Sequence, residues 1–261
     1  MKHCLAIGLA AFALSACEAG QTGTDAAPAR ESTAAQTADG TDVSIPASNL
    51  LVKRETPELD FLWRAPPELA EAPTLLSTLR AQALVSAEEM QAGAEEDMKL
   101  RPADAPKPAH FFVQDWTVAA DTPALLNVRA DISMYTGGAH PNHGFAVKYW
   151  DKAERREISF SDLFADWTAA EKLLTPAYCT ALDAERVARR GKIEGGLFDD
   201  CPPIGEQPVA LRSWPGQDIS GFRVLLAPYV AGPYAEGDFE IEVPMTDALR
   251  ALVKPQYLKA K

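Results

Sequence analysis

Apolar and polar residues alternate in several short stretches of the chain, which is the pattern of β-strands with one face in a core. The clearest stretch is 125–135, where every second residue from Leu126 to Met134 is apolar and the residues between them are polar. We therefore predict one buried and one solvent-exposed face for this strand. Shorter patterns predict further strands at 50–52, 59–63, 110–119, 144–150, 209–211, 221–227 and 238–243.

A longer period predicts two helical regions. Within 75–98 apolar residues recur every three or four positions, as on one face of an α-helix, and Pro102 ends the pattern. A second helical region is predicted over 161–190. We expect it to divide at Pro176, because proline lacks the amide hydrogen and clashes with the preceding turn.

The predicted helices stand apart from the strands instead of alternating with them, which is typical of an α+β fold. We predict antiparallel sheets with segregated helices. Thr246 is placed to cap a short final helix through its side-chain oxygen.

The N-terminus has the pattern of an export signal. A basic start at Lys2 precedes an apolar run over 5–14, and the small residues Ser15 and Ala16 lead to Cys17. A cleavage site that ends in cysteine resembles the bacterial lipoprotein signal, in which that thiol receives fatty acyl chains such as palmitate. We expect residues 1–16 to be removed and Cys17 to be lipidated. An ordinary secretory signal is the alternative, while a membrane-spanning helix needs a run about twice as long.

Residues 17–45 contain almost no large apolar side chain. Such a segment cannot bury enough surface to offset the entropy lost on ordering, so it is predicted to be a flexible tether. Lipid anchor and tether together predict a protein of the bacterial cell envelope. We expect it to face the periplasm, at the outer membrane rather than the inner one.

The net charge restricts the kinds of partner that the protein is expected to bind. The 261 residues carry a formal net charge of −12, which argues against binding nucleic acid or docking on anionic lipid headgroups. The charge favours cationic partners, or serves solubility alone. No second apolar stretch is long enough to span a bilayer, so the membrane contact is expected through the N-terminal lipid.

The cysteines predict one disulfide. Of the four cysteines, Cys4 leaves with the signal and Cys17 carries the lipid. Cys179 and Cys201 remain as an even pair in an oxidising compartment, where a disulfide is the expected outcome. Two cysteines alone are a poor metal site.

Two segments carry a family likeness. The first is Tyr-Thr-Gly-Gly-Ala-His-Pro-Asn at 135–142, between two predicted strands and followed by Ser-Asp-Leu-Phe at 161–164. The second is Ala-Pro-Tyr-Val-Ala-Gly-Pro-Tyr-Ala-Glu-Gly at 227–237. In this order they resemble the extracytoplasmic domain shared by the anti-sigma factor RsiV and the non-catalytic part of the deacetylase PdaC.

The resemblance implies a module in two parts, a PdaC-like α+β subdomain at 46–155 and an RsiV-like α+β subdomain at 156–255. In the RsiV-like branch this module binds lysozyme. The chain has neither the sigma-binding segment nor the deacetylase domain of these relatives, so their signalling and deacetylase activities are not expected here.

The two segments also supply the candidate binding residues. Glycine pairs permit backbone conformations closed to other residues, and proline stiffens the exit of a loop. Side chains on such loops are held by a rigid scaffold, where binding residues commonly lie. The candidates are Tyr135, Gly137, Gly138, His140, Asn142, Tyr229 and Tyr234.

Other interpretations of these residues remain open. His140 is equally suited to holding its loop through a backbone hydrogen bond, and the two tyrosines to packing at a corner of the fold. His140 and His143 could contribute to a metal site only with a third ligand, such as His110. We expect no metal, no cofactor and no catalytic residue.

The sequence therefore predicts a binding module for a cationic, lysozyme-like protein or for peptidoglycan. The alternative is an envelope hydrolase or metalloenzyme that uses the loop over 135–143. A structural lipoprotein without a ligand is the third interpretation.

Overall fold

The computed structural model describes residues 47–193, 195–213 and 218–258. These all lie within one unit of the chain, 32–261. The predicted signal peptide, lipidation site Cys17 and tether over 17–45 fall outside the described residues. Whether the folded part divides at 155/156 stays a prediction.

The first sheet has six strands in the order of the chain. They are β1 Leu51–Glu55, β2 Leu59–Arg64, β3 His110–Asp121, β4 Leu125–Tyr135, β5 Asn142–Asp151 and β6 Arg156–Ile158. Neighbouring strands run antiparallel except β2 and β3, which are parallel. The long helix α1, Pro73–Leu100, makes the crossover that a parallel pair requires.

The second sheet is antiparallel and has three strands, β7 Val209–Arg212, β8 Gly221–Leu226 and β9 Phe239–Pro244. Helix α2, Trp167–Arg190, precedes it, and the short helix α3, Asp247–Arg250, follows it. Thr246 caps α3 as predicted, because its hydroxyl accepts the Leu249 N–H at 3.2 Å. The α+β class is confirmed.

Helix α2 corrects one prediction, since it runs unbroken through Pro176. Pro176 is exposed, and so is Lys172, the residue whose carbonyl loses its hydrogen-bond donor. The buried stripe made by Leu174, Tyr178 and Leu182 continues on both sides of it. Packing of this stripe outweighs the lost hydrogen bond, and the expected division at Pro176 is wrong.

Two apolar clusters form the interior. One lies between α1 and a face of the first sheet that includes Leu126, Val128 and Trp150. The other joins α2 and the second sheet to the opposite face, through residues such as Leu125 and Tyr149. Both faces of the sheet are therefore covered along the first half of β4.

The prediction of a solvent-exposed face on β4 is accordingly wrong at Asn127, which is completely buried. Its amide donates to the Lys148 carbonyl and accepts the Leu211 N–H, both at 2.9 Å. The polar position is used to join the sheets, because Leu211 belongs to β7. Tyr149 adds a second link by donating its hydroxyl hydrogen to the Val209 carbonyl.

Cys179 and Cys201 form the predicted disulfide, which ties the middle of α2 to the segment that leads into β7. Within the described ranges no helix is both long enough and apolar enough to cross a membrane.

Candidate functional site

The loop between β4 and β5 is shaped by its two glycines. Gly137 and Gly138 have φ of +96° and +103°, in the region that favours glycine. The Tyr135 hydroxyl donates to the Gly138 carbonyl at 3.0 Å. A Cβ at Gly137 would also lie 2.8 Å from the Arg101 guanidinium, so any larger residue there displaces that side chain.

The loop between β8 and β9 reaches the same place from the second sheet. Tyr229 has φ of +71°, an uncommon conformation for a residue with a side chain. Its N–H donates to the Gly232 carbonyl at 3.0 Å, which closes a tight turn. Tyr234 then begins a single turn of 3-10 helix that ends at Glu236.

The two loops bring His140, Tyr229 and Tyr234 together. The His140 ring stacks on Tyr234 with the ring centroids 3.6 Å apart and the planes inclined by 19°. Tyr229 lies beside this pair, with its centroid 6.4 Å from His140 and 5.8 Å from Tyr234. We call these three residues the aromatic ridge. They come from different sheets, so only the tertiary fold could show that they meet.

Hydrogen bonds fix the orientation of the His140 ring. Nδ1 lies 2.9 Å from the Pro141 carbonyl oxygen, which can only accept, so Nδ1 carries the hydrogen of this bond. In the neutral ring Nε2 is then an acceptor, and the Tyr229 hydroxyl lies 3.3 Å from it as the donor. His140 thus holds its own loop and also joins the second loop.

Besides the two glycines that shape the loop, Tyr135 and Asn142 are candidate residues that do not join the ridge contacts. Tyr135 stacks on Phe111 across β3 and β4, with centroids 6.2 Å apart. Asn142 is exposed at the start of β5, opposite Met134. Tyr135 therefore supports the β4–β5 loop through its hydrogen bond to Gly138, while Asn142 lies where that loop ends.

The ridge is accessible to a large ligand. His140 is exposed, and Tyr229 keeps 51% of its surface exposed despite its contacts. Tyrosine and histidine rings offer apolar faces for stacking, and a tyrosine adds a hydroxyl at its edge for hydrogen bonding. Across the described ranges no three His, Cys, Asp or Glu side chains are grouped to hold a metal ion.

A cavity of about 390 Å³ is lined by Thr136 of the β4–β5 loop and by residues that include Met90 and His110. His110 is buried, and its Nε2 lies 2.9 Å from Oδ2 of Asp97. Arg101 hydrogen-bonds the same carboxylate and, with His110, lowers the pKa of Asp97 below its usual value. Arg101 also lies against Gly137 and so connects this cluster at the end of α1 to the loop.

An ion pair close to the start of β9 links the sheets electrostatically. Arg129 donates to both carboxylate oxygens of Glu240, at 2.7 and 3.1 Å, and to Asp131 at 2.6 Å. The hydrogen bond from Arg129 lowers the pKa of Glu240. Burial alone would lower the pKa of Arg129, but these carboxylates raise it instead. The pair stays charged and joins β4 of the first sheet to β9 of the second.

Sequence reasoning missed the arginines that hold the β8–β9 loop. Arg189 donates from Nη1 to the carbonyls of Glu236 and Asp238 at 2.6 and 2.7 Å, and its guanidinium lies 3.9 Å from the ring centroid of Phe239. Arg186 is fully buried. A signal was present in the sequence, because Arg186 continues the four-residue spacing of Tyr178 and Leu182 and thus falls on the buried stripe of α2.

Comparisons with known proteins give structural neighbours in the DUF3298 family. A member of this family from Bacteroides fragilis has 17% sequence identity and a TM-score of 0.47, and the alignment covers 76% of this chain and 84% of that one. A DUF3298 family protein from Pseudomonas aeruginosa has 20% identity and a TM-score of 0.45, over 78% and 87% of the two chains. No family model and no curated protein matches the chain. Likeness at this level carries no information on function.

Proposed function

We propose that this protein is a lipid-anchored binding module of the bacterial cell envelope and that its aromatic ridge binds the glycan of peptidoglycan. Cys17 carries the anchor in this proposal, and the RsiV-like and PdaC-like resemblance of the segments over 135–142 and 227–237 supports an extracytoplasmic role. The tether over 17–45 would let the folded part reach the cell wall.

The observation that carries the proposal is the stacked arrangement of His140, Tyr229 and Tyr234, in which His140 and Tyr229 are exposed and Tyr234 is half-buried. The apolar face of a pyranose ring packs against an aromatic face, and the tyrosine hydroxyl groups hydrogen-bond the sugar's polar groups. A preformed set of rings loses little conformational entropy on binding. The strained backbone of Tyr229 adds weight, because such strain clusters at binding sites.

The net charge of −12 favours the other partner that the sequence left open, a cationic protein of the lysozyme kind. Charge steering of this sort is long-ranged and weakens steeply with salt, whereas ring stacking does not. Salt dependence therefore separates the two partners.

The test is co-sedimentation of the intact purified protein with purified peptidoglycan, with a parallel pull-down on lysozyme, each from low to high salt. We expect salt-resistant sedimentation that Tyr229→Ala and Tyr234→Ala each reduce about tenfold or more. Leu84→Ala, an exposed apolar residue on α1, is the matched control and should bind normally. Binding to lysozyme alone, abolished by salt, would assign the surface to a cationic protein instead.

A further inference from the structure

Arg186 is an arginine placed where a leucine would be expected. It is completely inaccessible to solvent, on the stripe of α2 that also buries Tyr178 and Leu182. Removing a guanidinium from water is costly unless its hydrogens are satisfied and its charge is balanced. A buried, fully engaged arginine is therefore expected to do something that an apolar residue cannot.

The side chain joins two other segments of the chain to α2. Nε donates to the Ala231 carbonyl at 3.1 Å, Nη1 to Asp183 Oδ1 and the Asp199 carbonyl at 3.0 Å each, and Nη2 to the Asp200 carbonyl at 2.9 Å. The planar guanidinium fixes the directions of these bonds, which a lysine ammonium cannot do. Ala231 is itself fully buried and lies between Tyr229 and Tyr234 in the chain. Arg186 therefore holds the middle of the β8–β9 loop, which carries both tyrosines of the ridge.

Two of the other acceptors, the carbonyls of Asp199 and Asp200, lie next to the disulfide. Asp199 and Asp200 immediately precede Cys201, whose bond to Cys179 ties this segment to α2. Cys179 precedes Arg186 by seven residues, two helical turns, so both project from the same side of α2. The disulfide thus brings the two carbonyls to the guanidinium, and the guanidinium holds Ala231.

Arg190 reinforces the same arrangement from the last turn of α2. It donates to the Ala231 carbonyl at 3.3 Å and to Asp199 Oδ1 at 3.0 Å. The β8–β9 loop and the segment before Cys201 are consequently connected through two arginine side chains, those of Arg186 and Arg190.

We propose that Arg186 is the positioning residue of the aromatic ridge and that the Cys179–Cys201 disulfide keeps Arg186 in contact with its partners. Reduction of the disulfide then disrupts the stacking of the ridge rings. The effect on ligand binding rests on the proposed function above, whereas the effect on the geometry of the ridge does not. The reductant is a dithiol. It gives two electrons and two protons to the Cys179–Cys201 bond, which becomes two thiols, and it is itself oxidised to a disulfide.

The experiment compares wild type, Arg186→Lys and the dithiol-reduced wild type by NMR, through the ring proximity of His140 and Tyr234, and by peptidoglycan co-sedimentation. We expect the ring stacking to disappear in both altered forms and their binding to weaken about tenfold or more. Reoxidation should restore the stacking and the binding. Leu79→Ala, a core truncation beneath α1, is the control for general destabilisation and should keep the stacking intact.

The two readouts separate the two proposals. Ring stacking that persists in Arg186→Lys and in the reduced protein overturns the positioning role, whatever the binding result. If the stacking disappears in both forms while the wild type never binds peptidoglycan, the positioning role is upheld and the glycan assignment is overturned. If Arg186→Lys does not fold, the reduced and reoxidised wild type still tests whether the disulfide keeps the ridge in place, and stacking that persists after reduction overturns the proposal. Disappearance of the stacking in Leu79→Ala as well would show a mere stability effect and overturn the proposal.

Discussion

Tyr229 keeps a side chain in a backbone conformation that costs of order 1 kcal/mol or more. Glycine adopts that conformation freely, so the tyrosine is retained at an energetic disadvantage. The ring it presents on the ridge offers a reason, since the strain places it beside His140 and Tyr234.

Tyr229→Gly tests this reasoning. Relief of strain offsets the removal of the tyrosine ring from the ridge, so we expect the free energy of unfolding to change by less than about 1 kcal/mol while peptidoglycan binding weakens about tenfold or more. Denaturant titration and co-sedimentation measure the two effects. A large loss of stability would mean that Tyr229 is a packing residue, the alternative that the sequence left open.

His140 leads to a second prediction at this scale. Because its Nδ1 donates to the Pro141 carbonyl, the neutral ring should be the Nδ1–H tautomer, with Nε2 accepting from Tyr229. Two-bond proton–nitrogen NMR spectra distinguish the tautomers directly. Tyr229→Phe removes the donor to Nε2 and should shift that nitrogen's signal alone. The opposite tautomer in the wild type would contradict the ridge geometry.

At the scale of elements, helix α2 tolerates a proline because its buried stripe continues on both sides of Pro176. Pro176→Ala restores an N–H donor at an exposed position and removes the clash with the preceding turn. We expect the free energy of unfolding to rise by about 1–3 kcal/mol, measured by denaturant titration. An unchanged or lower value would show that α2 depends on the proline in a way the packing does not explain.

Asp151, at the end of β5, makes the free energy of unfolding depend on pH in the acidic range. Burial alone would raise the pKa of Asp151, but the N–H of Glu154, the Tyr257 hydroxyl and the N–H of Ala153 lower it below its usual value. Its stabilising effect is complete above the unfolded pKa of about 4 and is lost as the pH falls through the folded value.

Asp151→Asn should therefore flatten the loss of unfolding free energy below about pH 4, because the amide does not titrate. Thermal melts between neutral and acidic pH measure this difference. An equally steep acid dependence in the variant would assign it to other carboxylates.

At the scale of the whole molecule, Asn127 joins the two sheets. Asn127→Ala leaves the buried Leu211 N–H without its partner, so we expect a loss of about 1–3 kcal/mol in the free energy of unfolding. Asn142→Ala, an exposed asparagine on the neighbouring strand β5, should change stability by less than about 0.5 kcal/mol. Equal effects of the two substitutions would contradict the role given to Asn127.

The sequence predicted local features better than distant contacts. Helix α1, the alternating strands β4 and β5, the Thr246 cap and the Cys179–Cys201 pair follow from spacing or from residue chemistry. The parallel pairing of β2 with β3 and the burial of Asn127 depend on elements far apart in the chain, for which periodicity holds no signal. The short β6 pairs with the adjacent β5, but its three residues are too few to show a period.

For the candidate site, too, local features could be predicted and distant contacts could not. Glycines and tyrosines identified two loops, yet the approach of His140 to Tyr234 depends on how the second sheet and α2 pack against the first. Arg186 escaped notice because a charged residue in a helix is ordinarily exposed.

The most direct test of the central claim is an NMR titration of the intact protein with soluble glycan fragments of peptidoglycan. Stacking of sugar rings on the aromatic ridge should give saturable shifts in the ring signals of His140, Tyr229 and Tyr234, which Tyr229→Ala removes. Ring signals that stay unchanged while the fragments are added to saturating levels would contradict the account.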